Sequence, residues 1–548
     1  VGAGGGRAVI GSPLDQRQAV WERARSETVD LLVVGGGING VGIALDAVSR
    51  GLSTLLVERD DLAVGTSSRS SKLIHGGLRY LEQYRFGLVR EALAERRMLG
   101  RLAPHIVEME RFVFPVMGRW WEVPYIGAGL TFYYMLGGRH GGRYRYMGED
   151  AATGKIPSLR SADLRAAFEY SDGVFDDARM VIAVARTARS LGAGILTRAE
   201  MAEVGVDAAG VSHATLLDRL TGDTCQVAAR AVVDATGAFS ADSEEGVAPS
   251  RGVHIVVSRD RIEASAGMTI RVPGRVVFLI PWLDRWLIGT TDVAHSGPVD
   301  RPQPSSQELT YLFESVGSVL DIDLGPEDVI SAFAGIRPLA DDGDTDGDTA
   351  SLSREERITE VRPGLFRVRG GKYTTYRRVA QRVGDRVAAR LGMGGPCMTE
   401  AIPVLGAAPT ATLAATGRAL IDSGLDPDMA RRLVRRHGTE AAEVAATARS
   451  LDQTARLVPE LPYLAAEAWW AVHQEQALSI DDVLSRRTRV AVEVRDHGEA
   501  ALDTVAGVLG SALGWDDVER ERAVKEYGEA AAHEYGVPET HLAGEARR

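Results

Sequence analysis

Lysine is nearly missing from this chain. Of 63 basic residues only Lys72, Lys155, Lys372 and Lys525 are lysine, and the rest are arginine. Cysteine is as scarce: Cys225 and Cys397 stand far apart, in no metal-ligand spacing. That excludes a disulfide framework, argues for a reducing compartment and puts neither thiol in a catalytic setting. No window offers eighteen uninterrupted apolar residues, which argues against a spanning helix. Val1–Arg7 has no apolar h-region and no cleavage site, so it does not read as a signal peptide. Excess positive charge is absent too. The net charge of −12 argues against nucleic acid as the main partner. What remains is ordinary globular composition, 45% hydrophobic and 25% charged over 548 residues, enough for two or three domains and a large core.

The most informative segment is Val29–Gly42. A short run, Val-Asp-Leu-Leu-Val-Val, precedes glycines at 35, 37 and 40 in G-x-G-x-x-G spacing. Gly35 allows a tight turn, Gly37 lets backbone N–H groups approach a pyrophosphate, and Gly40 lets the next helix pack on the strand. The helix start, with Ile38 and Asn39, then faces the anion. Ile43–Arg50 reads as helix, Gly51 as its stop and Ser53–Val57 as a second strand. Glu58 follows, eighteen residues past Gly40, where an acid can bind ribose hydroxyls. Together these features specify a dinucleotide-binding βαβ unit.

Further strands are expected at Gly194–Leu196, at Ala231–Asp234 before the turn Ala235-Thr236-Gly237, and at Leu365–Val368. The last precedes Gly370-Gly371-Lys372-Tyr373-Thr374-Thr375 and a helix over Tyr376–Leu391, a second anion-facing turn. The nucleotide domain is therefore discontinuous over 28–402, after a flexible tail at 1–27. It holds a β-rich insert, roughly 86–160 and 250–330, whose strands include His254–Val257, Val276–Pro281 and Trp286–Gly289. Asp341–Thr349 reads as a solvated acidic loop, not a calcium site, because it lacks a terminal Glu in register. Residues 403–548 read as a helical domain, with helices at Leu413–Ser423, Met429–Arg449 and Ala500–Leu513.

Between Leu62 and Leu81 the chain carries Gly-Thr-Ser-Ser-Arg-Ser-Ser-Lys-Leu-Ile-His-Gly-Gly-Leu-Arg-Tyr-Leu after Val64. With the fingerprint before it, this run resembles the FAD-dependent, quinone-linked glycerol-3-phosphate dehydrogenase family. The likeness continues through Tyr170–Met180, Val253–Val257, Ile288–Asp292, Gly335–Leu339, Gly370–Arg377 and Asp481–Thr488. It implies an α/β and α+β fold: a glutathione-reductase-like Rossmann domain for FAD, an inserted antiparallel-β substrate domain and a C-terminal helical domain. It implies oxidation of sn-glycerol 3-phosphate to dihydroxyacetone phosphate, with electrons passed to a membrane quinone. The chain departs from the family at Arg69, where relatives carry a small residue, and at Ala238-Phe239 in place of Pro-Trp. Its Gly246–Gly252 segment is also shorter.

Thr66, Ser67 and Ser71 offer hydroxyl and backbone donors to a pyrophosphate or flavin ring, and Gly76-Gly77 allows backbone to approach an aromatic plane. With Lys72, Leu73 and His75 they complete the expected cofactor set of Gly35, Gly37, Ile38, Asn39, Gly40, Glu58, Ala235, Thr236, Gly237, Gly371 and Thr374. For the substrate the resemblance points to Arg79, Tyr80, His254, Arg337 and Lys372. Arginine can bind phosphate bidentately, lysine adds a point charge, and a cation near the flavin stabilises its reduced anion. Two of the four lysines fall in these motifs, which suggests that those places need an ammonium. The expected reaction moves the C2 hydride to the flavin and the hydroxyl proton to His254 or to a water polarised by arginine or lysine.

Arg111–Tyr146 combines Phe112, Phe114, Trp120, Trp121, Tyr125, Phe132, Tyr133 and Tyr134 with Arg119, Arg139, Arg143 and Arg145. Aromatics with arginines suit a headgroup boundary, so peripheral attachment to the inner face of the cell membrane is expected. Self-association stays open. Two other acceptor or substrate classes also stay open at this point: an oxygen-using glycerophosphate oxidase and a related amino-acid oxidase.

Overall fold

The run Val29–Val34 forms a strand buried along its whole length, its one charged side chain, Asp30, tied to Ser53. A strand with two buried faces needs cover on both sides. It lies between the parallel strands Thr54–Val57 and Thr224–Asp234, and Gly194–Leu196 and Leu365–Arg369 extend the sheet outward. Helices Ile38–Ser49, Asp177–Ser190 and Tyr376–Leu391 close one face, sharing a core with Val33, Val233 and Val368. Helix Pro13–Ser26 and the hairpin Ala199–Val206/Ser212–Asp218 close the other, around Trp21, Leu32 and Val57. This computed structural model describes residues 12–138, 143–207, 210–239, 247–273, 275–340 and 356–539. The side chains of Arg79, Val247 and Ala248 and those of residues 338–340 are outside that description.

The expected flexible tail over 1–27 does not hold in its second half. Pro13–Ser26 opens with a capping box, in which Ser12 Oγ accepts from Asp15 N and Asp15 accepts from Ser12 N. Arg17 is buried and paired with Asp218 at 2.6 and 3.0 Å, which docks the helix.

Arg357–Arg362 adds an edge strand to the first sheet, Arg456–Val458 and Leu461–Leu464 pair on their own, and the other described strands build a ten-stranded second sheet, antiparallel except where Gly267–Val272 meets Val107–Met117. It takes in Leu164–Phe175 and Val329–Ala340, so the insert extends past the expected limits of 160 and 330. Along Pro249–Ser258 the side chains alternate. Val253, Ile255 and Val257 pack with helix Ser306–Gly317, and His254 and Val256 face the other way.

The C-terminal region is helical, as expected, but the helix expected over Met429–Arg449 is two, Pro427–His437 and Ala441–Ser450. Gly438, at φ +59°, separates them, and a Cβ there would overlap the Gly406 carbonyl. The region shares one core with the second sheet, in which Phe112, Ile280 and Trp282 meet Leu484, Val490 and Tyr535. Phe112 is thus core, not surface. Among the described residues no helix is long and apolar enough to cross a membrane. The acidic loop Asp341–Thr349 and Arg139 lie outside the described residues.

Candidate functional site

A cavity of about 680 Å3 runs along the carboxyl ends of the parallel strands, from Glu58 to His254 and Arg337. Volumes of this order suit cofactor sites. Gly35 makes the turn at its floor with φ +112°, where a side chain would sit 2.7 Å from the Ala235 carbonyl. Gly40 lies beneath it, and a Cβ there would overlap the Gly35 carbonyl, so glycine is what lets helix and strand meet. Helix Ile38–Ser49 points its N-terminus at the cavity, and Gly37 N-caps it with no side chain of its own. Ser67 Oγ supplies the missing acceptor, 3.0 Å from Ile38 N.

At one end the Glu58 carboxylate accepts from Gly36 N at 2.6 Å and Asp60 N at 2.8 Å. Burial raises its pKa, against those two N–H groups. Arg59 stacks 4.5 Å from the Phe239 ring. Thr236 bonds to Asp234, and Ala235 and Gly237 line the same wall. These features fit an adenosine with its ribose on Glu58 and its pyrophosphate on the Gly35–Ile38 turn.

The other end is built by the second sheet. Ser250 pairs with Arg337, Gly252 with Gly335, and His254 with both Phe333 and Gly289. A side chain at Gly252 would overlap the Arg337 guanidinium, and one at Gly289 would overlap the His254 ring. The glycines therefore leave room for the two functional groups. Arg337 is aimed by Asp292, 3.1 Å from Nη1, and by Thr290 Oγ1 and the Thr291 carbonyl, 2.8 and 3.1 Å from Nη2. His254 stacks on Phe333, and its Nε2 is 2.9 Å from Ser71 Oγ. Its Nδ1 is buried with no hydrogen-bond partner among the described residues. Burial, helped by the charges of Lys72 and Arg337, holds its pKa well below 6.5, so the imidazole is neutral. Lys372 Nζ lies 3.4 Å from the centre of the Tyr80 ring. Thr374 Oγ1 accepts from His75 N at 3.2 Å, and Asn39 and Gly371 line the same end.

Three expected cofactor contacts differ. Lys72 does not face the cavity. Its ammonium is buried, bonded to Ser68 O at 2.6 Å and to both Asp177 oxygens at 2.8 and 2.7 Å. Burial pulls its pKa down to about 8, with Asp177 opposing. Gly76 approaches an aromatic plane, but the plane is Tyr133, whose hydroxyl accepts from Gly76 N at 2.9 Å. Thr66 lines the cavity, yet its hydroxyl is committed to the Ile336 carbonyl at 2.6 Å. Arg79 lies in the short helix Arg79–Glu82, and its side chain is outside the described residues. Asp292 and Asp177 went unread, although both fall in segments already singled out, Ile288–Asp292 and Tyr170–Met180. Their partners are remote in sequence, which hid them.

A second cavity of about 570 Å3 shares Ser71, Leu73, His75, Tyr80 and Arg337 with the first. It opens between Tyr84, Phe86, Tyr125 and Phe132 and is mostly apolar, with Phe114, Ile126, Leu130 and Phe278 in its wall.

Comparison with known proteins gives a consistent result. Residues 30–373 match the model of the FAD dependent oxidoreductases, and 397–520 match the C-terminal domain of alpha-glycerophosphate oxidase. The chain is 39% identical over 523 residues to a glycerol-3-phosphate dehydrogenase of Mycobacterium leprae (strain TN), covering 93% of this chain and 89% of that protein. It superposes with a TM-score of 0.79 and 27% identity on the glycerol-3-phosphate dehydrogenase of Bacillus halodurans, solved with FAD, over 95% of this chain and 98% of that one. A glycerophosphate oxidase from Mycoplasma pneumoniae shares the fold alone, at 18% identity and a TM-score of 0.55, over 66% of this chain and 95% of that one.

The cofactor is FAD, and the Glu58 end yields a test. Glu58→Ala removes one charge-assisted acceptor, so FAD should bind roughly tenfold more weakly, or about 1.4 kcal/mol. The flavin-to-protein ratio after exhaustive dialysis measures it. Retention equal to wild type would remove Glu58 from the cofactor site.

Proposed function

The chain belongs to the FAD-dependent glycerol-3-phosphate dehydrogenase family, and from that premise we propose that it oxidises sn-glycerol 3-phosphate to dihydroxyacetone phosphate and passes the electrons to a membrane quinone. One observation carries the substrate reading: Arg337, Lys372 and the neutral His254 converge at the end of the FAD cavity. Arg337 offers a guanidinium already aimed by Asp292, which suits bidentate phosphate binding. Lys372 adds a compact charge to the same cavity. Bound FAD supplies the two-electron acceptor for the C2 hydride. Ser71 and His254 both line the cavity, with Ser71 Oγ 2.9 Å from His254 Nε2. The substrate hydroxyl gives its proton to Ser71 as Ser71 gives its own to the imidazole, which leaves the ketone in the substrate and the charge on His254. A neutral histidine can accept it across the physiological range.

The acceptor reading rests on the second cavity. It is mostly apolar, it meets the first at Ser71, His75 and Tyr80, and its lining includes the exposed aromatics Tyr84, Phe86, Tyr125 and Phe132. Tyr84 is 81% exposed, Trp120 76% and Met135 70%, with Trp121, Tyr125 and Tyr146 also exposed nearby. Helix Glu122–Leu136 carries no charge after its first residue; the exposed Arg119 precedes it in the chain, and the exposed Arg145 adjoins Tyr144, which stacks on Tyr134 of the helix. An apolar helix face rimmed by tryptophan and arginine suits the membrane interface. That supports peripheral attachment with a lipid-soluble acceptor entering through the mouth.

Anaerobic bleaching of the flavin by sn-glycerol 3-phosphate, with glycerol as the phosphate-free control, tests the substrate reading. Arg337→Ala should lower catalytic efficiency at least ~100-fold, about 2.7 kcal/mol. Lys372→Arg should also impair it, because a planar guanidinium cannot replace the ammonium over Tyr80. Equal losses with both substrates, or full efficiency in Lys372→Arg, would remove these residues from the phosphate site.

His254 stays neutral in the folded protein because its pKa is depressed. The rate of flavin reduction should therefore carry no acidic limb centred near pH ~6.5. Such a limb, lost in His254→Asn, would mean the imidazole titrates in solution-like surroundings.

Replacing Trp120 and Trp121 together with Ala should move the protein from quinone-containing vesicles to the supernatant and lower quinone reduction. Wild-type protein that stays in the supernatant at both low and high salt would count against the membrane reading.

A further inference from the structure

The segment Asp481–Arg489 of the helical region takes no part in the reaction described above, yet it concentrates buried charge. Asp482, Arg486, Arg487 and Arg489 are all buried. Buried guanidinium groups are costly unless each is fully paired, and the partners here lie in a telling place. Arg486 Nε and Arg487 Nη1 and Nη2 hold Asp61 at 2.7, 2.5 and 2.8 Å. Arg489 Nε reaches Asp176 at 3.0 Å, and Arg489 Nη2 meets Asp177. Asp61 stands three residues after Glu58. Asp177 accepts from Ser70 N at 3.0 Å, Ser70 Oγ at 2.7 Å and Lys72 Nζ. The loop between those anchors supplies Gly65, Thr66, Ser67 and Ser71 to the FAD cavity. One short stretch of the helical region therefore fastens that loop from behind at both ends.

The fastening has a conformational consequence. Lys72 sits at φ +56°, in the left-handed region that non-glycine residues avoid. Such a backbone persists where its surroundings over-determine it, and the bonds from Lys72 Nζ to Ser68 and Asp177 do so. The turn at Lys72 leaves Ser71 against His254 and sends Leu73 into the second sheet beside Val174.

We propose that Arg489, acting through Asp177, is a positioning residue for the FAD and substrate cavity, and that Asp481–Arg489 serves to hold the loop Asp61–Leu73 in register with His254. The proposal rests on the function read above only for the substrate arm of its test.

The test uses the full-length holoenzyme with Arg489→Met, Arg489→Lys and a matched control, Arg432→Met. Arg432 is also buried and pairs with Glu493 and Asp284, and neither of these lines either of the two cavities described above. Three quantities are read: the rate of FAD release on dilution, the visible circular dichroism of the bound flavin, and kcat and KM for sn-glycerol 3-phosphate. Arg489→Met should release FAD about 10-fold faster, change the flavin dichroism and lower kcat/KM about 10-fold or more. Arg489→Lys should recover part of each. Arg432→Met should lose melting temperature to a similar degree while its flavin signals stay within about twofold of wild type. Equal changes in Arg489→Met and Arg432→Met would overturn the proposal, as would wild-type flavin signals in Arg489→Met. If Arg489→Met does not fold, Ser70→Ala removes one loop-to-Asp177 bond without stranding a charge. It should shift FAD release and dichroism in the same direction, and wild-type values would overturn the proposal. A wild-type flavin that glycerol 3-phosphate does not bleach would sink the substrate reading and leave the two cofactor readouts to decide.

Discussion

Asp177 has no exposed surface and stands between two cations, Lys72 and Arg489. Ser70 donates to its carboxylate twice, and Tyr373 OH donates to its backbone carbonyl at 2.5 Å. An isolated carboxylate at such a depth would cost several kcal/mol, so the partners must all be present together. They belong to the Ser/Gly-rich loop, the Gly370–Thr375 turn and the helical region. Asp177 itself opens the helix that covers the parallel sheet. The reactive end hangs from these attachments, because Ser71 adjoins Lys72 and Lys372 adjoins Tyr373.

The reactive end also runs against the charge of the whole molecule. The chain carries −12 overall, yet Arg337 and Lys372 both line the cavity. Local cations in a low-dielectric cleft focus the field on an anion more strongly than distant surface carboxylates repel it. Asp292 tempers this. It neutralises part of the Arg337 charge and fixes its plane, so the guanidinium is already oriented for the proposed phosphate contact. Burial beside Lys72 and Arg337 depresses the pKa of His254 and leaves the imidazole neutral, which is the form the proposed proton transfer needs.

The parallel strands, the glycine turn and Glu58 were legible because they are local: adjacent residues in a fixed spacing make one βαβ unit. Arg337, Lys372 and His254 were legible only through motif context, since period-two alternation puts His254 on a face without saying what the face meets. Lys72 was misread because its scarcity suggested a ligand contact, whereas a buried carboxylate 105 residues away claims it. Arg489 lies 312 residues from Asp177, and one arginine among so many gives no signal of its own. The helix Pro13–Ser26 was hidden by the glycine-rich residues before it, although its Ser12–Asp15 cap is written in the sequence. The aromatic run split. Phe112 and Tyr133 are core, while Trp120, Trp121 and Tyr125 are surface, and composition alone does not separate a strand interior from an exposed helix face.

The proposed chemistry comes down to loss of hydride from C2 of glycerol 3-phosphate. It is tested most directly by anaerobic stopped-flow reduction of the bound flavin, at saturating substrate, with deuterium or protium at that carbon. Complete bleaching with both, slower with deuterium, is the required result. A flavin that stays oxidised, or one reduced at the same rate by both isotopologues in a single-turnover step, would contradict it.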